Sequence, residues 1–216
     1  MTQDIGTAIR SYRAIVLALA LGYWIYRFFD TNLDAFGWQF RFLTIWGMTA
    51  NLLVAIAMMR LSLGLTEKRH ETFVSVSAVL GMMVVYLYWQ LYFIDPKLVS
   101  GDGGPSVWHQ EYYFHLVGPL LMWIDAFLIL GVFTRILRVL TGLLVLIAAY
   151  VLWIEIGVGP MNDAPVGSVT SGMPYPFLND MDLGARMMFY AQTCGTGLLF
   201  MCLGWGLSAL LRRTRR

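Results

Sequence analysis

The chain has 216 residues, of which 58% are hydrophobic and only 13% charged. A soluble domain carries about 25% charged residues, so there is too little polar surface here to cover a water-soluble fold. The formal net charge of +2 excludes nothing by itself, but its distribution along the chain does.

The apolar residues come in blocks rather than with amphipathic periodicity. Six blocks reach the roughly 20 residues that cross a bilayer: approximately 12–29, 42–65, 73–94, 112–133, 137–158 and 185–211. The expected fold is therefore an all-α integral membrane protein, a six-transmembrane-helix bundle forming one membrane domain over residues 1–216. The first block follows Arg10 and Arg13, as in a signal peptide, but it ends in Tyr23, Trp24, Tyr26, Arg27, Phe28 and Phe29 with no small-residue cleavage site, and it reads as a retained span.

Basic residues in short connections mark the cytoplasmic side. With both termini and the second and fourth connections on that side, it holds Arg10, Arg13, Lys68, Arg69, Arg135, Arg138, Arg212, Arg213, Arg215 and Arg216; the other holds only Arg27, Arg41, Lys97 and Arg186. Both termini are expected in the cytoplasm. The two long connections, 95–111 and 159–184, then lie outside. The second carries Met173-Pro174-Tyr175-Pro176-Phe177-Leu178-Asn179-Asp180, whose aromatic and proline content suits an ordered lid.

Depth arithmetic sorts the polar residues inside the spans. At 1.5 Å per residue, Thr44 is about 3 Å inside the second span, His115 about 5 Å inside the fourth, and Glu155 about 5 Å from the outer end of the fifth. A hydroxyl, an imidazole and a carboxylate at one depth are the parts of a nucleophile, its base and an orienting acid. Each also has a structural reading: a membrane Thr usually bonds its own helix backbone, a single His can be a plain hydrogen-bond partner, and Glu155 can snorkel. Asp125 lies about 15 Å deeper than His115 and cannot orient it. It is within reach of Arg60, and an Arg60–Asp125 ion pair between spans two and four is expected, because a charge in hydrocarbon needs a partner. Asn51, seven residues after Thr44, shares its face two turns deeper. Gln192, Thr193, Thr196, Tyr86, Tyr88 and Gln90 are candidates to line a polar cavity. Pro119 cannot donate to the carbonyl of His115, which should open space around the imidazole.

Other chemistries find no support. Only one of the three His lies in a span, no His/Cys/carboxylate spacing fits a zinc site, and no P-loop, dinucleotide fingerprint or Gly-x-Ser-x-Gly elbow is present. No cofactor and no metal are expected. The acidic outer side is unsuited to nucleic acid. The partner expected on these grounds is the bilayer.

Three stretches resemble a known family. They are Phe42-Leu43-Thr44-Ile45-Trp46-Gly47-Met48-Thr49-Ala50-Asn51-Leu52-Leu53-Val54-Ala55 in the second span, His115-Leu116-Val117-Gly118-Pro119-Leu120-Leu121 followed by Asp125 in the fourth, and Tyr175-Pro176-Phe177-Leu178-Asn179-Asp180 before the sixth. With the six-span count, the chain resembles a bacterial-type member of the androgen-induced protein and androgen-dependent TFPI-regulating protein family of integral membrane threonine hydrolases, whose mammalian members cleave fatty acid esters of hydroxy fatty acids. The resemblance implies Thr44 as nucleophile and His115 as base, with Thr49 a second hydroxyl nearby. Glu155 is the expected orienting acid, and Trp46, Tyr175 and Gln192 are candidate oxyanion donors. The activity that the resemblance implies is intramembrane hydrolysis of lipid esters, with a lipid or fatty acyl ester substrate as the expected partner and the site toward the outer side of a bacterial plasma membrane. The rival readings are a lipid or small-molecule transporter or binding protein that uses the same polar pocket, and a structural or regulatory membrane protein that docks a partner through its outer loops.

Overall fold

The computed structural model describes residues 2–29, 35–99, 107–162 and 172–214. Six helices in it are long and apolar enough to cross a membrane, and no strand occurs among the described residues. They are α1 (Thr2–Phe29), α2 (Leu43–Ser62), α3 (Glu71–Ile94), α4 (Trp108–Leu130), α5 (Ile136–Met161) and α6 (Leu183–Thr214). The protein is an all-α integral membrane protein: in lipid a helix satisfies its backbone polar groups within one segment, and the apolar blocks are long enough for each to do so. Of the expected outer connections 95–111 and 159–184, residues 100–106 and 163–171 lie outside the described residues.

Helix α3 is the hub. It packs against α2, α4, α5 and α6, while α1 leans on α2 and α4. Half of the apolar window of α3 and 56% of that of α4 is buried, against 11% for α1. Glycines let the helices approach closely. A Cβ on Gly81 would meet the Met122 methyl at 3.1 Å, and one on Gly204 would fall 2.7 Å from the Phe133 ring, the small-residue packing expected where no hydrophobic drive brings helices together.

The half of the bundle around Phe133 is a solid apolar plug. Val74, Ala78, Val79, Ala126, Val132, Phe133, Val139 and Leu143 are all within 1% of complete burial. Phe133 adopts the left-handed region (φ 62°), a costly conformation for an aromatic residue. It is held there by its amide, which donates to Ser75 Oγ at 3.0 Å, and by its ring, which lies against Gly204.

One charged pair sits in this half, and it corrects an expectation. Asp125 is engaged by Arg13, not Arg60: Arg13 Nε and Nη2 reach the two carboxylate oxygens at 2.6 and 2.7 Å, and Nη1 donates to Ser62 Oγ at 2.8 Å. Arg60 is exposed. Helix α1 begins at Thr2, ten residues before the expected start of its span, and its packing on α2 and α4 turns Arg13 toward Asp125. Removing one partner of such a buried pair costs about 3–5 kcal/mol.

The backbone of α4 and α5 is not uniformly α-helical. Residues Tyr113–Val117 and Ile124–Leu130 of α4 and Trp153–Val158 of α5 are π-helical. Two of these segments have the same local cause. Each ends in Gly-Pro: Gly118-Pro119 and Gly159-Pro160. The Gly118 amide bonds the carbonyl of Tyr113 and the Gly159 amide that of Ile154, five residues back in each case. A Cβ on either glycine would stand 3.0 or 3.1 Å from that carbonyl oxygen. The proline removes the donor that would continue the α-helical ladder, and the glycine tolerates the tighter approach that replaces it. Such wide turns are frequent at functional sites; His115, Asp125 and Glu155 each lie within one.

Candidate functional site

The N-terminal end of α2 meets the π-turn of α4. Thr44 is the second residue of α2, and its Oγ1 lies 3.1 Å from His115 Nε2. The two residues expected at one depth are therefore brought into hydrogen-bond contact. The opposite ring nitrogen, Nδ1, faces two acceptors: a Glu111 carboxylate oxygen at 3.1 Å and the Glu111 carbonyl at 3.2 Å. Two acceptors at Nδ1 place the proton there and leave the Nε2 lone pair directed at the Thr44 hydroxyl, the tautomer a general base needs.

The imidazole is also fixed in orientation. Its ring stacks on Tyr88 with 3.5 Å between centroids and 6° between planes, and the Tyr88 hydroxyl is within hydrogen-bonding reach of the Glu111 side chain. The carbonyl of His115, which Pro119 cannot serve, accepts instead from Trp89 Nε1 at 2.8 Å. An indole from α3 thus completes the bonding that the proline leaves open.

Glu111 is the acid that sequence reasoning missed. With the fourth span starting at 112, Glu111 falls among the acids of the outer connection. Helix α4 starts four residues earlier, at Trp108, and so Glu111 and His115 stand one turn apart on one helix face. That spacing was the available signal. Glu155 does not orient His115. Its carboxylate is filled by Arg186 Nε and Nη2 at 2.8 and 3.1 Å and by the Tyr190 hydroxyl at 2.8 Å, a cluster between α5 and α6.

Among the candidate oxyanion donors, the structure separates Tyr175 from the other two. Trp46 Nε1 is committed to the Phe40 carbonyl at 2.9 Å, and Gln192 is exposed on α6. Tyr175 comes from the segment 172–180, which precedes α6. There Asn179 closes the turn by accepting from the Met173 amide at 2.8 Å and donating to the Met173 carbonyl, and Leu178 is buried beneath. The Tyr175 hydroxyl accepts from the Leu43 amide at 3.1 Å and has the hydroxyls of Thr44 and Tyr150 within hydrogen-bonding reach. Tyr150 donates to the Arg41 carbonyl at 3.0 Å, so the Tyr175 proton is the one free to be directed toward Thr44. Burial raises the pKa of Tyr175 above its ordinary value, which keeps it a donor at neutral pH. A second donor is the Thr44 amide. It is one of the helix-start amides with no intrahelical acceptor, and no acceptor for it occurs among the described residues.

These groups form the polar wall of a cavity of about 190 Å³. Arg27, Glu111 and Val99 stand at one end, while Leu80, Met83 and Ile147 lie at the other. Of the further polar candidates, Tyr88 and Thr193 line it, whereas Tyr86 and Gln90 are exposed. Asn51 does not line it. It borders two small voids of about 10 and 20 Å³ between α2 and α4. Its Oδ1 is buried without a partner among the described residues, beside space for about one water. Thr49 is held on another side of α2, accepting from Trp24 Nε1 at 3.1 Å. Next to the cavity residue Phe42, Arg41 is buried with its guanidinium over the Phe42 ring, and burial, reinforced by the neighbouring Arg27, pushes its pKa down to about 10. Among the described residues no group of His, Cys, Asp and Glu could hold a metal ion.

Comparisons with curated proteins and with solved structures gave no match. A family model described as FAR-17a/AIG1-like protein matches residues 10–209. That range takes in Thr44, Glu111, His115 and Tyr175 and nearly all of the six helices, and the chain belongs to the FAR-17a/AIG1-like family.

Proposed function

We propose that the protein is an intramembrane hydrolase of fatty acyl esters, with Thr44 as nucleophile and His115 as general base. The observation that carries this reading is the 3.1 Å contact between Thr44 Oγ1 and an imidazole whose other nitrogen is bonded to an acid, set in the wall of an apolar cavity. Nucleophile, base and orienting group in hydrogen-bonded sequence are the arrangement that makes a hydroxyl reactive.

In the proposed reaction the substrate carbonyl carbon lies against Thr44 Oγ1. The hydroxyl attacks as its proton passes to His115 Nε2, and the carbonyl oxygen takes up negative charge. The Tyr175 hydroxyl and the Thr44 amide stabilise that charge. As the tetrahedral intermediate collapses, the carbon–oxygen bond to the alcohol breaks, and His115 returns the proton to the departing alkoxide. The acyl group is now an ester of Thr44. Water activated by His115 releases it as a fatty acid and restores the hydroxyl. Glu111 supports the imidazolium that forms in each half of the cycle. The excess of basic residues on the opposite side supports a site facing the outer side, with both termini in the cytoplasm.

The test is covalent labelling of the purified protein by a fluorophosphonate, which phosphonylates an activated hydroxyl. Labelling should be lost in Thr44→Ala and in His115→Ala. Undiminished labelling in both would overturn the mechanism. Tyr175→Phe should lower kcat about 100- to 1000-fold with little change in KM, because its hydroxyl acts on charge that develops only after binding.

A further inference from the structure

We propose that the inner limb of the cavity is an acyl-chain ruler, closed at its floor by Leu80, Met83 and Ile147, which selects acyl groups of about eight to ten carbons. This rests on the hydrolase reading of the same site. It begins from a stripe on α3: Leu80, Met83, Val84, Leu87, Tyr88 and Leu91 all line the cavity, at the spacing of one helix face. Position along α3 is therefore a scale of depth in the cavity.

Two points on that scale are fixed. The ring of Tyr88 stacks on His115, so the level of Tyr88 is the level of the reacting pair. Leu80 and Met83 are 2% and 3% exposed. Below them the space is filled by the plug of Val79, Leu143 and their neighbours. From Tyr88 to Leu80 is eight residues, about 12 Å along the helix. An extended chain advances about 1.2 Å per bond, as the polypeptide backbone itself does, so the limb accepts roughly eight to ten carbons beyond the carbonyl.

The order of product release assigns this limb to the acyl group rather than to the alcohol. The alcohol leaves while the acyl group is still bonded to Thr44. A limb floored by the buried Leu80 and Met83 would trap an alcohol behind that ester, whereas at the end bordered by Arg27 and Glu111 the Glu111 side chain is 25% exposed, so that end is the one in touch with water. The acyl chain is the part that can wait in a closed space. The floor itself is adjustable at one residue. Met83 lies across Gly197, where a Cβ would come within 2.9 Å of its sulfur, and Ile147 Cδ1 stands 3.7 Å from the same point. A flexible thioether over a glycine is the part of the wall most easily shortened without moving a helix.

The experiment uses the full-length protein in detergent micelles, with p-nitrophenyl esters from butanoate to hexadecanoate, and thermal shift by saturated fatty acids of the same lengths. For the unmodified protein, kcat/KM should peak at C8–C10 and fall at least tenfold by C16, with the thermal shift following the same order. Met83→Ala should move both optima upward by two or three carbons, and Ile147→Phe should move them to C6 or shorter. A C16 ester or acid used as well as C8 would overturn the ruler, as would optima unchanged in both folded variants. Absence of turnover with chain-length-dependent stabilisation intact would overturn the hydrolase reading and leave the ruler standing. Absence of any length dependence in the shift would overturn the ruler, whatever the chemistry.

Discussion

The two Gly-Pro turns of α4 and α5 share a backbone device and differ in what it serves. In α4 the widened turn carries His115, and in α5 it carries Glu155. Both place an ionisable side chain inside the bundle, where a charge is costly unless paired. Glu155 is saturated, its oxygens taken by Arg186 and Tyr190. His115 is bonded on one nitrogen only to groups that orient it, and the other nitrogen meets a hydroxyl at the edge of a cavity. The wide turn positions a polar group; its partners decide whether that group holds helices together or does chemistry. A bulge is therefore a reason to examine a residue and not a reason to assign it a role.

The contrast can be broken most directly at His115. His115→Ala should reduce ester turnover at least 1000-fold, about 4 kcal/mol of transition-state stabilisation, while the apparent melting temperature in detergent moves little. A large fall in melting temperature would make His115 a structural residue like Glu155. Next comes Glu111→Gln, which keeps a hydrogen-bond acceptor at Nδ1 but removes the charge that supports the imidazolium. Turnover should fall about 10- to 100-fold at unchanged stability, and an unchanged kcat would remove Glu111 from the mechanism. Glu155→Gln should show the opposite pattern. Thermal or denaturant unfolding should report a loss of about 1–3 kcal/mol, with turnover per folded molecule unaltered; a proportionate loss of turnover would restore Glu155 as an orienting acid. The smallest effects are expected at the glycines. Gly118→Ala and Gly159→Ala should each cost about 1–2 kcal/mol by crowding the carbonyl five residues back. Only Gly118→Ala should also lower kcat, since its turn sets the position of His115.

How far the site could be read in advance follows from the range of each interaction. Thr44 and His115 were legible because apolar blocks and basic connections fix the span order and the direction of each span, and depth then follows from helical rise. Pro119 signalled a disturbed backbone because a missing donor is a local fact. Glu111 was obscured by a four-residue difference in where α4 begins, since the interfacial residues Trp108–Glu111 continue the helix although they are too polar to extend the apolar block. The Asp125 partner was assigned by depth alone, and depth fits Arg60 and Arg13 equally once α1 extends to Thr2. Choosing between them needs the rotation of each helix about its axis.

Composition and the length of the apolar blocks therefore assign the chain to a membrane and give it six helices, because both are properties of single segments. Packing settles which polar groups face one another: Glu111 and not Glu155 on His115, Arg13 and not Arg60 on Asp125, and Tyr175 brought to Thr44 from the segment before α6. In a bundle whose helices are apolar nearly all round, little in the pattern fixes their rotation. It is set by the close contacts of glycines, wide turns and aromatic rings that form only when the helices pack.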